Sequence, residues 1–480
     1  MTQALARRYD LAIVGMGSAG MVSAEFAATL GLRVAVIERD RVGGDCLWTG
    51  CVPSKALLAS AKAAHTMRHA SRYGLPPVDL DVDTALVWQR IRSIQAEVAA
   101  TDDNPDRYRE MGVEIVFGAA RLTGPHSIVV TGSGGEAELG ARFVLLCTGS
   151  RPAVPEIPGL AEAGFLTSEN VFQLERAPAS IAMIGGGPIA TELAQAFTRL
   201  GTRVSVLQKG PRLLPRDDPD LVAVLTKRLL DEGVDVRVDV DTQRAGLEDG
   251  RKVVHGTQSG RPQSWTAEEV LVAAGRRPNL DGLGLSEVGV RVGTRGVEVD
   301  ERMRTSVPSI YAVGDVAGRY LFTHSAAYEG VRAIRDMFFP GKGTAGALVP
   351  WCTFTDPELA HAGLTVDEAR QRYGGDVEVW RFELSHSDRA RADSAREGAV
   401  IVVTAKRARV VGAHVLAPAA GEMIHELALA IERKLSLNQI ASLVHVYPTL
   451  STSIGQLAAE AAFRGARRLR WLVRKGRGSR

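Results

Sequence analysis

The feature that most constrains this chain is a strand–glycine-turn–helix pattern that occurs twice. Residues 10–14, Asp-Leu-Ala-Ile-Val, run into Gly15-x-Gly17-Ser18-x-Gly20, and an amphipathic stretch follows to about Gly31. A second apolar strand, Arg33 to Ile37, ends at Glu38, about 20 residues past the glycines, where a dinucleotide fold places the carboxylate that binds a ribose. Glycines let the backbone approach a pyrophosphate, and the helix N-terminus supplies amide hydrogens and partial positive charge. The pattern recurs at Ser180–Ile184 with Gly185-x-Gly187-x-x-Ala190, a helix to Leu200 and a strand from Arg203 to Leu207. There the second strand ends in Gln208-Lys209-Gly210-Pro211-Arg212, with no acid to repel a 2′-phosphate. Neutral Gln208 with Lys209 and Arg212 predicts NADPH over NADH.

With 480 residues the chain exceeds one ordinary core, and two to four domains are expected. The 58 basic against 55 acidic side chains give no global bias toward nucleic acid or membranes. Residues 464–480, however, hold eight of the basic residues and no acid, which reads as a solvated tail or a docking segment. Four cysteines, two of them five apart, exclude a secreted disulfide framework and suit a reducing, cytoplasmic setting. The N-terminal segment lacks the pattern of a signal peptide, and no apolar run approaches the roughly 20 residues of a membrane span.

Three other stretches mark the organization. Cys147-Thr148-Gly149-Ser150-Arg151-Pro152 and Ala273-Ala274-Gly275-Arg276-Arg277-Pro278-Asn279 read as two crossings where the chain leaves and re-enters the first unit. A short strand near Tyr311 ends in Gly314-Asp315; Asp315 is suited to bind a polyol and equally suited to cap a helix. Beyond residue 345, alternating segments at Val377–Leu384 and Ala399–Val403 and helices near Gly421–Lys434 and Leu437–Leu443 predict an α+β domain with an antiparallel sheet.

The segment Gly43-Gly44-Asp45-Cys46-Leu47-Trp48-Thr49-Gly50-Cys51-Val52-Pro53-Ser54-Lys55 carries the most chemistry. On a continuous helix, five residues rise by about 7.5 Å, beyond the Cα separation a disulfide tolerates, so a reactive pair requires a bend, naturally at Gly50. Inert thiols and a structural disulfide are the alternatives; zinc would need further ligands, and no metal site is expected. Cys147 and Cys352 read as core thiols.

On these motifs the chain resembles the class I pyridine nucleotide-disulfide oxidoreductases, among them dihydrolipoyl dehydrogenase, glutathione reductase and mercuric reductase. The resemblance covers essentially the whole length and implies an α/β protein: two Rossmann-like dinucleotide-binding domains plus a C-terminal α+β dimerisation domain. FAD would occupy residues 1–150 and 275–344, with NAD(P)H at 151–274 and a homodimer interface at 345–480. Gly15, Gly17, Ser18, Gly20, Glu38, Gly44, Thr148, Gly149 and Asp315 would serve FAD; Gly185, Gly187, Ala190, Gln208, Lys209, Arg212 and Gly275 would serve NAD(P)H. Cys51 would face the flavin and Cys46 the acceptor, with Lys55 near the flavin paired to Glu192.

The chain departs from the family pattern at its C-terminal end. The resemblance leads one to expect a His and a Glu as an acid–base dyad where this sequence has Tyr447 and Thr452. Tyrosine, with a pKa near 10, is a poor base at neutral pH, whereas histidine titrates in the useful range. His445, two residues earlier, is the candidate substitute. Mercuric reductases are similar in having tyrosine near this place, and a metal held by thiolates needs no general acid, but no C-terminal cysteine pair is present. Trp48 would narrow access, stack on a planar acceptor or simply pack. The expected function is an NADPH-dependent flavin-disulfide reductase for a small disulfide or metal acceptor. Dihydrolipoyl dehydrogenase, a quinone or diaphorase-type reductase, and a redox-sensing binding protein are the other readings.

Overall fold

The computed structural model describes residues 7–339, 341 and 348–467. β1 (Arg7–Val14) leads through the first glycine turn into α1 (Ser18–Thr29) and then β2 (Val34–Glu38), which pairs with β1 in parallel, Leu11 opposite Val34. Every residue of β2 is buried, as a strand covered on both faces requires. The sheet runs in the order Glu114–Phe117, β2, β1, Gly135–Leu146, Ser127–Gly132, Ala119–Gly124. Ile310–Ala312, far away in sequence, returns to pair in parallel with the Gly135–Leu146 strand, Ala312 opposite Leu146. Helix Thr323–Phe338 lies on α1 so closely that a Cβ at Gly330 would stand 2.3 Å from Ser23 Oγ.

The second glycine turn sits in a four-stranded parallel sheet, Asp235–Arg237, Arg203–Leu207, Ser180–Ile184, Glu269–Val272. A three-stranded antiparallel sheet over Val240–Ala267 accompanies it, which the sequence pattern had not disclosed. The two expected crossings lie side by side as antiparallel strands Ser150–Pro152 and Arg276–Pro278.

The C-terminal unit is a five-stranded antiparallel sheet, and its inner strand Ala399–Ala405, between Arg409–Ala417 and the edge strand Glu378–Glu383, corrects the expected alternation, since all seven positions are buried. Val400 and Val402 pack with Ile424 and Leu427 of helix Ala420–Glu432 on one face, while Val403 packs with Ala369 on the other, so both faces are core. The helix expected at Leu437–Leu443 is one turn, Leu437–Ile440, and a longer one, Thr452–Arg467, follows. Its last residues, 464–467, are the start of the basic tail; residues 468–480 lie outside the described residues. Among the described residues no helix is long and apolar enough to cross a membrane.

One charged cluster ties the units together. Buried Arg199 donates to both carboxylate oxygens of Glu232 at 2.7 Å and to Asp356 at 2.9 Å. Lys62, on the helix that follows Cys51, reaches the same Asp356 at 3.3 Å. Removing a buried partner strands the opposite charge. Arg199→Met should therefore destabilize the protein by about 3 kcal/mol, read as a lowered thermal unfolding midpoint; an unchanged midpoint would show that the cluster contributes nothing.

Candidate redox site

The two glycine turns open on one continuous cavity of about 1840 Å³, well above the ~300–1,000 Å³ of a single ligand pocket. Gly15, at φ 100°, has no room for a side chain, because a Cβ would stand 2.6 Å from the carbonyl of Cys147. A Cβ at Gly20 would meet the Gly15 carbonyl at 2.0 Å, so Gly20 shapes the turn from behind the cavity wall. Gly15, Gly17, Ser18, Glu38, Gly44, Thr148, Gly149 and Asp315 line the cavity. So do Cys46, Cys51, Lys55, Glu192, Gly185, Gly187, Gln208, Lys209 and Gly275, while Ala190 is fully buried beneath its turn.

Glu38 is held in place by the backbone N–H groups of Met16 (2.6 Å) and Asp40 (2.7 Å), with lone pairs to spare. Asn279 donates to the Thr148 carbonyl at 2.9 Å, yet its own buried Oδ1 accepts from no protein group. Asp315 accepts from Ser150 at 2.5 Å, and burial raises its pKa. Glycine turns without side-chain bulk, a fixed ribose-type carboxylate and an orphaned acceptor in the wall suit a bound dinucleotide.

The redox segment folds as its spacing demands. α2 (Gly44–Trp48) stops at Thr49, and α3 (Cys51–Arg68) starts after Gly50, whose φ −125° and ψ −111° break the helix. That break turns Cys51 back toward Cys46. Neither is bonded to the other in this structure. The hydrogen bond from Cys46 lowers the Cys51 pKa to about 6, against burial, with help from the Thr323 hydroxyl and the Lys55 charge. Cys51 Sγ lies 3.2 Å from Thr323 Oγ1, and its place at the first position of an 18-residue helix favors the same anion. The same shared hydrogen bond, then burial, raises the pKa of Cys46. One turn along α3, Lys55 donates to Glu192 at 2.9 Å, and Glu192 in turn accepts from the Phe354 backbone at 2.8 Å.

Three other residues bear on the expectations. Trp48, on the cavity wall, donates to the Val42 carbonyl at 2.8 Å, and Arg41 covers one face of its ring at 4.1 Å. Cys147 is buried, but Cys352 stands half-buried on the cavity wall; burial raises the pKa of both. Arg212 does not face the cavity, because its guanidinium donates to the carbonyls of Leu214 (3.2 Å), Asp217 (2.9 Å) and Pro215 (2.7 Å). Arg216 lines the cavity instead, and Lys209 lies 3.4 Å from Asp241 of the antiparallel sheet. No sequence signal marked Asp241, since its strand was not anticipated.

The C-terminal candidates lie outside this cavity. Exposed Tyr447 donates to Asp388 at 2.7 Å, which raises its pKa. His445 Nε2 is 3.0 Å from Glu426 Oε1, and Thr452 donates to the Val446 carbonyl at 3.0 Å where the last helix begins. Val444 and Val446 beside them are 99% and 77% exposed, an apolar surface.

The described fold matches two family models, pyridine nucleotide-disulphide oxidoreductase over residues 9–330 and its dimerisation domain over 349–458. The chain belongs to this family. It is 35% identical to a dihydrolipoyl dehydrogenase of Thermus scotoductus, over 96% of this chain and 98% of the relative. A mercuric reductase of Bacillus cereus is 32% identical over 93% of this chain and 70% of its own length. A solved structure of the HOCl-induced flavoprotein disulfide reductase RclA from Escherichia coli, a Cu(II) complex of a cysteine-to-serine variant, matches with a TM-score of 0.85. It is 26% identical and covers 94% of this chain and 99% of that one. As a pyridine nucleotide-disulphide oxidoreductase the protein is an enzyme that uses FAD and NAD(P)H.

A depressed Cys51 pKa means that the thiolate is present above about pH 6 and lost as the pH falls through it. The two-electron-reduced holoenzyme should show a long-wavelength thiolate band against the flavin that titrates with this midpoint. Cys51→Ser should abolish the band and Cys46→Ser should keep it; the opposite pattern would reverse the two assignments.

Proposed function

We propose that this enzyme is an NADPH-dependent reductase that passes electrons through the Cys46–Cys51 couple to a thiophilic metal ion, acting as a homodimer in the reducing cytoplasm. FAD, when bound, takes hydride from the nicotinamide and supplies two electrons to the cysteine pair. The first glycine turn, Glu38 and Asp315 would hold it, and Lys55, steadied by Glu192, would contribute positive charge in the same cavity. Cys51 stabilizes its own anion next to that charge, leaving Cys46 as the thiol that meets the acceptor. Oxidation of the Cys46 thiol and Cys51 thiolate to the disulfide releases one proton and two electrons, which reduce one metal ion by two units or two ions by one each.

The observation that carries the metal reading is the state of Tyr447. Its hydroxyl is engaged by Asp388 and its pKa is raised, so it neither gives nor takes a proton near neutrality. Reducing a disulfide requires protonation of a departing thiolate; reducing a thiolate-held metal does not. The mercuric reductase relative and the Cu(II) complex of RclA support the same class. One observation favors a disulfide instead: His445 and Glu426 form a His–carboxylate pair that a second subunit would present to Cys46.

NADPH oxidation assayed with Hg(II), Cu(II), lipoamide, glutathione disulfide and quinones separates these readings. Metal turnover should be lost in Cys46→Ser and untouched in His445→Gln; a drop of a hundredfold or more in disulfide turnover for His445→Gln (~2.7 kcal/mol) would establish the disulfide reading. Quinone reduction that survives Cys46→Ser would place the acceptor at the flavin.

For the nicotinamide, Gln208, Lys209 and Arg216 favor a 2′-phosphate, with Asp241 opposing them. Lys209→Glu should lower kcat/KM for NADPH by about tenfold, roughly 1.4 kcal/mol, with little effect on NADH. A wild-type preference for NADH in the same steady-state assay would refute the NADPH assignment.

A further inference from the structure

Arg276 stands at the start of the strand by which the chain returns from the NAD(P)H unit, and its side chain is 13% exposed. Its Nη2 donates to Asp45 Oδ2 at 2.8 Å and to the Ser150 carbonyl at 3.0 Å. Its Nε donates to Ser150 Oγ at 2.7 Å, and Ser150 passes its own hydrogen to Asp315. Arg276 Nε is also 3.6 Å from that Asp315 carboxylate. The second oxygen of Asp45 accepts from the Thr49 hydroxyl. One guanidinium thus joins two acids from distant parts of the chain, one immediately before Cys46 and one on the wall of the FAD cradle.

Asp45 is half-exposed, and a pair of this kind on an open surface would contribute little. Here its partner is nearly buried and shared, and its own position is fixed by Thr49, the residue before the helix break at Gly50. Without the guanidinium, Asp45 and Asp315 would act on each other as like charges, and each is felt by its neighbors: Asp45 raises the pKa of both Asp315 and Cys51. The groups that act on Cys51 are Cys46 and Asp45 from α2, Lys55 from its own helix and the Thr323 hydroxyl from helix Thr323–Phe338.

We propose that Arg276 is a positioning residue that clamps the redox turn to Asp315 and cancels the charge of Asp45, so that the strand returning from the NAD(P)H unit sets the electrostatics of the cysteine couple. This rests on the reading of Cys51 as the thiolate that faces the flavin. The clamp acts through Asp45, which distinguishes it from a general structural role for Arg276.

The test is the pH titration of the long-wavelength thiolate band in the two-electron-reduced holoenzyme, for wild type, Arg276→Gln, Asp45→Asn and the double variant. In Arg276→Gln the uncancelled carboxylate should move the midpoint up by about half a pH unit or more. Asp45→Asn should move it down, and removing Arg276 as well should raise it from the Asp45→Asn value by clearly less than Arg276→Gln raises it from wild type. A midpoint that stays put in Arg276→Gln, or that rises equally with and without Asp45, overturns the clamp. Should Arg276→Gln fail to retain FAD, Asp45→Asn decides alone: an unmoved or raised midpoint overturns the proposal. A wild-type enzyme with no such band overturns the assignment of Cys51 and the clamp with it, a result distinct from a band that is present and does not move.

Discussion

The shared hydrogen between Cys46 and Cys51 depends on a break in the backbone, and the rest of the site is arranged around that break. A continuous helix would hold the two cysteines apart. Instead α2 ends one turn after it begins, Gly50 leaves helical geometry and α3 starts at Cys51. Two consequences come from one deviation: the sulfurs meet, and Cys51 gains the N-terminal end of a long helix, where an anion is favored. The asymmetry between the thiols therefore originates in backbone geometry before any charged side chain acts.

That geometry would be useless on a mobile element, and α3 is held from several sides. Ala56, Leu57 and Ala61 of α3 share a core with Trp88 and with Phe197 of the helix after the second glycine turn. Lys55 and Lys62 on the same helix carry the links to Glu192 and Asp356. The helix that bears Cys51, itself part of the first unit, is thus packed against the unit of the second glycine turn and tied to the C-terminal unit. The paired strands Ser150–Pro152 and Arg276–Pro278 make the same connection through the backbone.

The parts of this architecture legible in the sequence are those fixed by local sterics. Gly15 and Gly20 admit no side chain because carbonyls lie against them, so the turn leaves a residue signature; the bend at Gly50 is dictated by cysteine spacing alone. Arg212, Asp241 and Trp48 show the limit. Arg212 has the charge for a phosphate, but three nearby carbonyls claim its donors, and side-chain direction is settled by partners that a linear pattern does not reveal. Asp241 acts from a strand whose neighbors are brought in by an antiparallel sheet. The inner strand Ala399–Ala405 defied its expected alternation for a related reason: helices cover both faces, and burial on two sides erases the period-2 signal.

The same distinction governs the acceptor. In the proposed path, the part as far as Cys46 rests on contacts within one chain, where the helix break, Lys55, Glu192 and Thr323 lie together. What happens beyond Cys46 depends on whether a proton must be supplied, and the residues able to supply one lie outside the cavity, on a surface rich in exposed valines. Tyr447 is committed to Asp388, while His445 keeps a carboxylate partner in Glu426. On the proposed reading a metal ion makes no demand on that surface beyond access, whereas a disulfide would need a second subunit to bring His445 within hydrogen-bond reach of the leaving sulfur. On that reading, acceptor chemistry in this enzyme is a question of subunit geometry as much as of residue identity.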